Sequence, residues 1–411
     1  MTESFKTDIL ILGAGIGGYE VFRTLSALAK RRGIRAHITI VDQNNYFTFV
    51  PLLHEVATGS VESTHASIPL RELVYGTPHS FIKATVQKVD QVKKQVHTSS
   101  GIISYSYCVI ALGSVVNTFG VPGVEEYAHR VRNLQDALFL KYSLVERLEN
   151  CESGEFIITI VGAGYVGIEI AGQYGTLKNG DLKKLYPHKK IRLRIIDPNN
   201  SVLSMMKPVV QKNVQRRLEK MGAEFIFGSS VKKVEETSIT LSTGEKLESD
   251  LTVWAAGFAN IGADFVEGDR CERGRIMVDE YLRIKGDETC YAIGDISCAH
   301  TSSNKTPYPQ LAEVAHAEGK YVGQHIANIL SSKKTQPFVF KSKGHLMPVG
   351  DWYGVAIIEG ITLYGWVAWW IRRTVYVLYM PGILRKFRII FDWTIHSLGF
   401  GHFIHIEKRQ K

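Results

Sequence analysis

The pattern G-x-G-x-x-G occurs twice in this chain, at Gly13–Gly18 and at Gly162–Gly167. Each copy stands between an uninterrupted apolar run and a segment of helical spacing. Asp8–Leu12 leads into the first copy and Phe156–Val161 into the second, and both runs suit a parallel strand buried on its two faces. A further apolar run returns after each helical segment, HITIVDQ in one case and IRLRIIDP in the other. A strand, a glycine turn, a helix and a returning strand make a right-handed βαβ unit. Its duplication within 411 residues, more than one hydrophobic core usually holds, predicts an α/β protein with two Rossmann-like doubly wound dinucleotide-binding domains.

The spacing gives the glycines separate duties. Gly13 and Gly162 permit the tight turn, Gly15 and Gly164 let backbone approach a pyrophosphate, and Gly18 and Gly167 let the helix close on its strand, with phosphate at the helix N-terminus. Gly17 adds a further permissive position. Asp42 ends the returning strand 24 residues after Gly18, where a carboxylate accepts from ribose hydroxyls. Asp197 holds the same place in the second unit; it repels a 2′-phosphate and so favours NADH over NADPH. Arg192 and Arg194 in the same strand weigh against that preference, and Asp197 before Pro198 also fits a plain turn residue. Two more apolar runs, YCVIALGS and LTVWAAGF, end in small-residue turns at Gly113 and Gly257, as strands delivering backbone to a ligand edge do. Asp295, in CYAIGD, is placed to accept a hydroxyl from the ribityl chain of a flavin, with an Asx-type turn as the plainer alternative. A helix is expected to begin near Pro309, with that proline in its first turn and its positive end toward the N1 edge of a reduced flavin.

Hydrophobic residues make up 45% and charged residues 22%, an ordinary globular composition. The five cysteines form an odd set without a C-x-x-C pair. That argues against a disulfide framework, a metal site and a dithiol centre, and for a reducing compartment. No export or transit signal is visible at the N-terminus. The net charge of +9 is unevenly spread: residues 361–411 hold eight Lys or Arg against two acids, so the tail prefers an anionic surface; no nucleic-acid partner is expected. Five of six tryptophans fall between Trp352 and Trp393. On a helical wheel Ile383, Phe387, Ile390, Phe391, Thr394 and Leu398 share one face, opposite Arg385, Arg388, Asp392 and His396, which predicts a C-terminal amphipathic helical membrane-attachment region lying in the interface plane. A helix packed on the protein itself is the alternative. Val355–Tyr379 is the one transmembrane candidate, but Glu359, Arg372 and Arg373 interrupt it, so peripheral attachment is expected rather than spanning.

The segments GAGIGG, VDQNNYFTFVPLLHEVATGSVE, ALGSVVNTFGVPGVEEYA, VGAGYVGIEIAG, WAAGF, YAIGD and LYGWVAWWIRRTVYVLYMPG together resemble, over nearly the whole chain, the type II NADH dehydrogenases. These are single-subunit NADH:quinone oxidoreductases of the two-dinucleotide-binding-domain flavoproteins. The resemblance implies non-covalent FAD in the first unit (1–118 with 286–345), NADH in the second (119–285), and a membrane-associating region (346–411). Hydride would pass from NADH to FAD, and two electrons to a membrane quinone without proton pumping. The implied location is the cytoplasmic side of the cell membrane, held peripherally on the lipid bilayer surface, with a homodimer left open. It also implies that Glu169 lies near nicotinamide and quinone and assists proton delivery, against the plainer reading of a helix-turn acid favoured by the macrodipole. Lys343 resembles a family lysine close to the flavin, against a solvated loop lysine. One stretch departs from the family. Where its members carry A-Q-x-A-x-Q-x-G facing the quinone, this chain has Ala312, Glu313, Ala315, His316 and Ala317, with Glu313 and Ala317 in place of the two glutamines. An ionised Glu313 is a poor donor to a quinone carbonyl, whereas a protonated one donates. Residues 19–107 and 299–411 contain no cysteine, which speaks against disulfide-reductase, sulfide:quinone reductase and peroxide-forming oxidase chemistries. The other function class open to the sequence is an NADH-binding redox-sensing or interaction flavoprotein resembling the apoptosis-inducing-factor group, with slow turnover.

Overall fold

In the computed structural model, which describes residues 4–260, 265–271, 274–300, 306–380 and 382–397, Ile9, Leu10, Ile11 and Leu12 are fully buried, as are Phe156, Ile158 and Ile160. Consecutive residues with no exposed face leave the backbone one way to satisfy its polar groups, a strand inside a covered sheet. Along the chain, β1 (Ser4–Leu12), α1 (Ile16–Arg32) and β2 (Ile38–Asp42) form the first βαβ unit, followed by a short helix α2 (Leu53–Ala57) and strand β3 (Gly101–Ile110). The second unit consists of β4 (Glu155–Val161), α3 (Tyr165–Asn179) and β5 (Lys190–Asp197), before β6 (Leu251–Trp254) and β7 (Cys290–Ala292). Helices α4 (Ala312–Leu330), α5 (Trp366–Tyr379) and α6 (Ile383–Ser397) come last.

Two compact units result, both discontinuous in sequence. The first takes the chain to Thr48, then Ser67–Val115 and Phe258–Ser342. Its seven-stranded sheet has parallel neighbours in the order Ser80–Lys83, β2, β1, β3, β7, with Ile9 beside Ile38 and Leu12 beside Ile110. The antiparallel hairpin Val86–Asp90 and Gln95–Thr98 continues it from the other half of β3. The second unit takes Phe49–Ala66, Val116–Gly257 and the chain from Lys343 on. Its five-stranded parallel sheet has the order Ala128–His129, β6, β4, β5, Ala223–Phe227. A three-stranded antiparallel sheet, His345–Pro348, Gly354–Ile358 and Ile361–Gly365, belongs to the same unit.

The observed boundaries differ from those expected from the sequence. Phe49–Ala66 joins the second unit because α2 packs on α3 and on the helix Leu134–Asn150. The stretch after Phe258 joins the first, since Ile276–Met277 pairs with Ser297–Cys298, and Val266 and Arg283 bridge to Val89 and Tyr291. The chain after residue 346 is not a separate body: Asp351 N donates to Thr176 Oγ1 on α3 at 3.0 Å.

Two local expectations are corrected. Cys271 and Cys298 are joined in a disulfide with Cα atoms 6.4 Å apart. Cysteine parity and spacing could not reveal it, because the partners are 27 residues apart and meet only through the parallel pairing of Met277 with Cys298. With the bond present, cysteine usage no longer argues for a reducing compartment. Helix α4 starts at Ala312, with Leu311 still extended, so Pro309 precedes the helix and does not occupy its first turn. The transmembrane candidate resolves into two strands and α5, whose 14 residues span roughly 21 Å, short of the ~30 Å hydrocarbon core. No described helix is long and apolar enough to cross a membrane.

Candidate functional site

The two fingerprint turns have the same construction. Gly13 and Gly162 adopt φ of +92° and +108°, and a Cβ there would lie 2.4 Å from the Ala111 carbonyl oxygen and 2.6 Å from that of Ala255. At Gly18 and Gly167 a Cβ would stand 1.9 Å from the carbonyl oxygen of the first glycine of the same turn. At Gly15 and Gly164 it would meet nothing within 4 Å. These two residues cap α1 and α3 in an extended conformation without a side-chain cap. Uncapped helical N–H groups facing open space beside glycine are what a pyrophosphate needs, so both turns fit a dinucleotide.

Each turn is also closed by its own carboxylate. Ala14 N donates to Asp42 Oδ2 at 2.7 Å, and Ala163 N to Asp197 Oδ2 at 2.6 Å. The other oxygens accept from Asn44 N at 2.7 Å and Asn199 N at 2.8 Å. A carboxylate accepts about four hydrogen bonds, so capacity remains for ribose hydroxyls. Burial raises the proton affinity of Asp42, opposed by the two amide N–H groups. Asp197 is buried and built into the turn, unlike a surface residue before a proline. Arg192 is engaged with Glu224 and Glu155, and Arg194 donates to the Glu248 carbonyl at 2.8 Å, so neither strand arginine is directed at the turn.

Within the first unit, Gly113 has φ +73°, and Asp295 sits in one turn of 3₁₀ helix. Its Oδ2 accepts from Ser114 Oγ at 2.6 Å and its carbonyl from Gln310 Nε2 at 2.9 Å. Behind it lies a group that sequence reasoning missed. Glu318 is buried on α4, accepts from Gly294 N at 2.5 Å, and is pushed by burial up to about 8, against the pull of that N–H. Glu313 accepts from Ser342 Oγ at 3.1 Å. His316 Nε2 lies 3.5 Å from Glu20 Oε2 on α1, Ala312 is exposed and Ala317 half-buried.

The second unit carries a buried charged cluster around the expected catalytic carboxylate. Glu169 stands in the fingerprint helix α3 with its side chain 17% exposed, and His54 Nδ1 lies 3.5 Å from its Oε2. Arg372, on α5 and 1% exposed, donates from Nη1 to Glu55 Oε1 at 2.7 Å and from Nη2 to His54 Nε2 at 2.9 Å. Trp393 on α6 donates to the other oxygen of Glu55 at 2.5 Å. The Tyr376 ring lies 4.5 Å from the Arg372 guanidinium carbon, and Arg373 lies 3.5 Å from the centre of Trp369 and 4.4 Å from that of Trp393. Burial alone would raise the Glu55 carboxyl, but the Arg372 guanidinium, with Arg373 beyond it, reverses that and holds it well below the usual range. For Glu169 burial prevails, and its proton affinity is raised despite His54 and Arg372. Lys343 stands against Tyr379 on α5, with Nζ 3.3 Å from the hydroxyl. Gly257 has φ +118°, and its Cβ would meet the Phe119 ring at 3.6 Å.

His54, Glu55, Arg372 and Arg373 were not legible as a cluster. Their signal was charge inside apolar runs, LLHEVA and AWWIRRTV. The two arginines are interior residues, so they do not add to the tail's surface charge. Outside, α6 carries Arg385, Lys386 and Arg388, while Trp366, Trp370, Leu378, Ile383, Phe387 and Phe391 are exposed. Asp392 faces inward, 2.6 Å from His65 Nδ1. Leu398, the last position of the expected apolar face, lies outside the described residues.

Residues 7–319 match the pyridine nucleotide-disulphide oxidoreductase family. A type II NADH:quinone oxidoreductase of Staphylococcus saprophyticus is 26% identical over 384 residues, covering 90% of this chain and 94% of the relative. That of Staphylococcus aureus is 26% identical over 383 residues with the same coverage. Among solved structures, NDH2 of Plasmodium falciparum in complex with NADH superposes with a TM-score of 0.88 at 20% identity, over 97% of this chain and 99% of that one. The sulfide:quinone oxidoreductase of Aquifex aeolicus gives 0.75 at 18% identity over 90% of each chain.

Proposed function

The chain belongs to the pyridine nucleotide-disulphide oxidoreductase family, and from that premise we propose that it is an FAD-dependent NADH:quinone oxidoreductase working at a membrane surface without pumping ions. The observation that carries the proposal is the pair of uncapped glycine turns, one in each unit, each closed by its own buried-end carboxylate. The relatives with near-complete coverage bear the same activity in their names. FAD is assigned to Gly13, Gly15, Gly17, Gly18, Asp42, Gly113 and Asp295, and NADH to Gly162, Gly164, Gly167, Asp197 and Gly257. When bound, FAD would supply the two-electron chemistry, accepting hydride from NADH and returning two electrons to a quinone, which takes up two protons to become the quinol.

The chain's own residues do the rest. The first turns of α1 and α3 donate to the pyrophosphates, while Asp42 and Asp197 accept from ribose hydroxyls. Asp197 presents an anion where NADPH would carry its 2′-phosphate, so NADH is preferred. Glu318, held neutral near pH 7 beside Asp295, keeps a second negative charge away from that carboxylate. Glu169, whose proton affinity is raised, holds a proton for the acceptor. Glu313, Ala317, Ala312 and His316 on α4 are assigned to the acceptor side and Lys343 to the flavin side, on the family pattern.

Turnover is tested by mixing the purified holoprotein with NADH and a soluble quinone and following the NADH absorbance band. Continuous decay over many equivalents is expected. A single stoichiometric bleaching of the flavin would instead leave a redox-sensing flavoprotein.

For the membrane, the exposed aromatic and aliphatic side chains of α5 and α6 beside Arg385, Lys386 and Arg388 suit a helix pair lying in the headgroup region. Flotation with vesicles containing phosphatidylglycerol should recover the wild type, with less recovered at high salt. The double substitution Phe387→Glu and Phe391→Glu should abolish recovery; unchanged flotation would mean that these helices do not seat on lipid.

A further inference from the structure

We infer that His54 and Arg372 are positioning residues for Glu169, with the guanidinium fixing the imidazole so that the ring proton faces the carboxylate. The inference rests on the proposed role of Glu169 in the acceptor half-reaction. Donor chemistry decides the tautomer. A guanidinium has no acceptor, so the 2.9 Å contact from Arg372 Nη2 makes His54 Nε2 the acceptor. The neutral ring then carries its hydrogen on Nδ1, the atom 3.5 Å from Glu169 Oε2. That distance is longer than a closed hydrogen bond, so the ring hydrogen acts on the carboxylate as a nearby dipole.

Arg372 is fixed in turn. Glu55 takes its other arm, and Trp393 holds the second oxygen of Glu55, so α5 and α6 both brace the imidazole. The titratable and charged groups facing Glu169 are His54 and Glu55 on α2, Arg372 and Tyr376 on α5, and Tyr165 on its own helix. Beyond Tyr165 lies His345, 3.1 Å from its hydroxyl. Among them, His54 Nδ1 lies 3.5 Å from Oε2 and, in the tautomer that Arg372 sets, carries the ring hydrogen. It favours the carboxylate form, and its removal shifts Glu169 toward the protonated form at any given pH.

Two measurements test this on the full-length holoprotein. In nitrogen NMR of the imidazoles, with His54→Asn used for assignment, the His54 ring should be the neutral Nδ1–H tautomer at neutral pH. An Nε2–H tautomer or a charged ring would overturn the inference. In stopped flow, the rate of flavin reoxidation by a soluble quinone should fall as pH rises and Glu169 loses its proton. On that falling limb, His54→Leu should retain roughly three- to tenfold more of its plateau rate than wild type. His54→Asn, whose amide N–H takes the place of Nδ1–H, should return the limb toward wild type. A wild-type limb in His54→Leu, with Glu169→Gln abolishing the limb, would sink this inference alone. A limb that survives Glu169→Gln would sink the assignment of Glu169 as well.

Discussion

Replacing Glu55 by alanine should destabilise the second unit by about 3–5 kcal/mol, the usual consequence of removing one partner from a buried ion pair. Both Glu55 and Arg372 are 1% exposed. Without the carboxylate, the guanidinium keeps His54 Nε2, a longer contact to the Pro51 carbonyl at 3.4 Å and the Tyr376 ring, none of which carries a charge to match it. The Trp393 indole N–H loses its acceptor at the same time. Urea unfolding followed by tryptophan fluorescence is a suitable readout, since Trp352, Trp366, Trp369, Trp370 and Trp393 all belong to this unit. Glu55→Gln should cost less, because one carbonyl oxygen still accepts. The paired change Glu55→Met with Arg372→Met should recover most of the loss, since no charge is left stranded. A loss below about 1 kcal/mol for Glu55→Ala would show that water reaches Arg372. The pH dependence follows from the sign of the shift. Glu55 is held below its unfolded value, so its contribution is complete above about pH 4.3 and is lost as acid titrates the folded carboxyl. The gap between wild type and Glu55→Gln is therefore full at neutral pH and narrows in acid.

What was legible in the sequence is what short-range sterics dictate. A glycine that lets a helix close on its own turn is demanded by the glycine about five positions before it, and the strand, turn, helix and returning strand around it follow one another directly, so the fingerprints and their terminal aspartates can be read in order along the chain. The tail helix was legible for the same reason, since an amphipathic face is a local period. Groups that meet across long separations left no such trace. Glu55 and Arg372 are 317 residues apart, and each looked like an isolated charge in an apolar run. Glu318 was invisible because its character comes from the Gly294 amide and from burial, neither of which is a sequence property. The Cys271–Cys298 bond depends on a strand pairing between two-residue segments, too short to announce themselves. The compact units divide the chain at other points than the sequence pattern does, because short segments, Phe49–Ala66 and Phe258 onward, pack with the unit that does not contain their sequence neighbours.

Gly167→Ala and Gly18→Ala should separate the two nucleotide sites. In each case the added methyl would sit 1.9 Å from a backbone carbonyl oxygen, that of Gly162 or Gly13. Backbone cannot rotate aside as a side chain can, so the helix must withdraw from its turn. Overpacking of this kind costs about 1–3 kcal/mol. The displaced atoms are the N–H groups proposed to donate to the pyrophosphate, so most of the cost should appear in nucleotide affinity, as a loss of roughly 5- to 150-fold. For Gly167→Ala the expected result is a yellow protein with normal flavin absorbance that needs that much more NADH for half-maximal flavin bleaching. Gly18→Ala should purify with substoichiometric flavin, and any fraction that retains flavin should respond to NADH at ordinary concentrations. The contrast matters more than either loss. General misfolding would lower flavin content and NADH response together in both variants, whereas two independent dinucleotide sites require each substitution to affect one and spare the other. If Gly167→Ala lost its flavin while keeping NADH affinity in the remaining holoprotein, the assignment of FAD to the first turn and NADH to the second would have to be reversed.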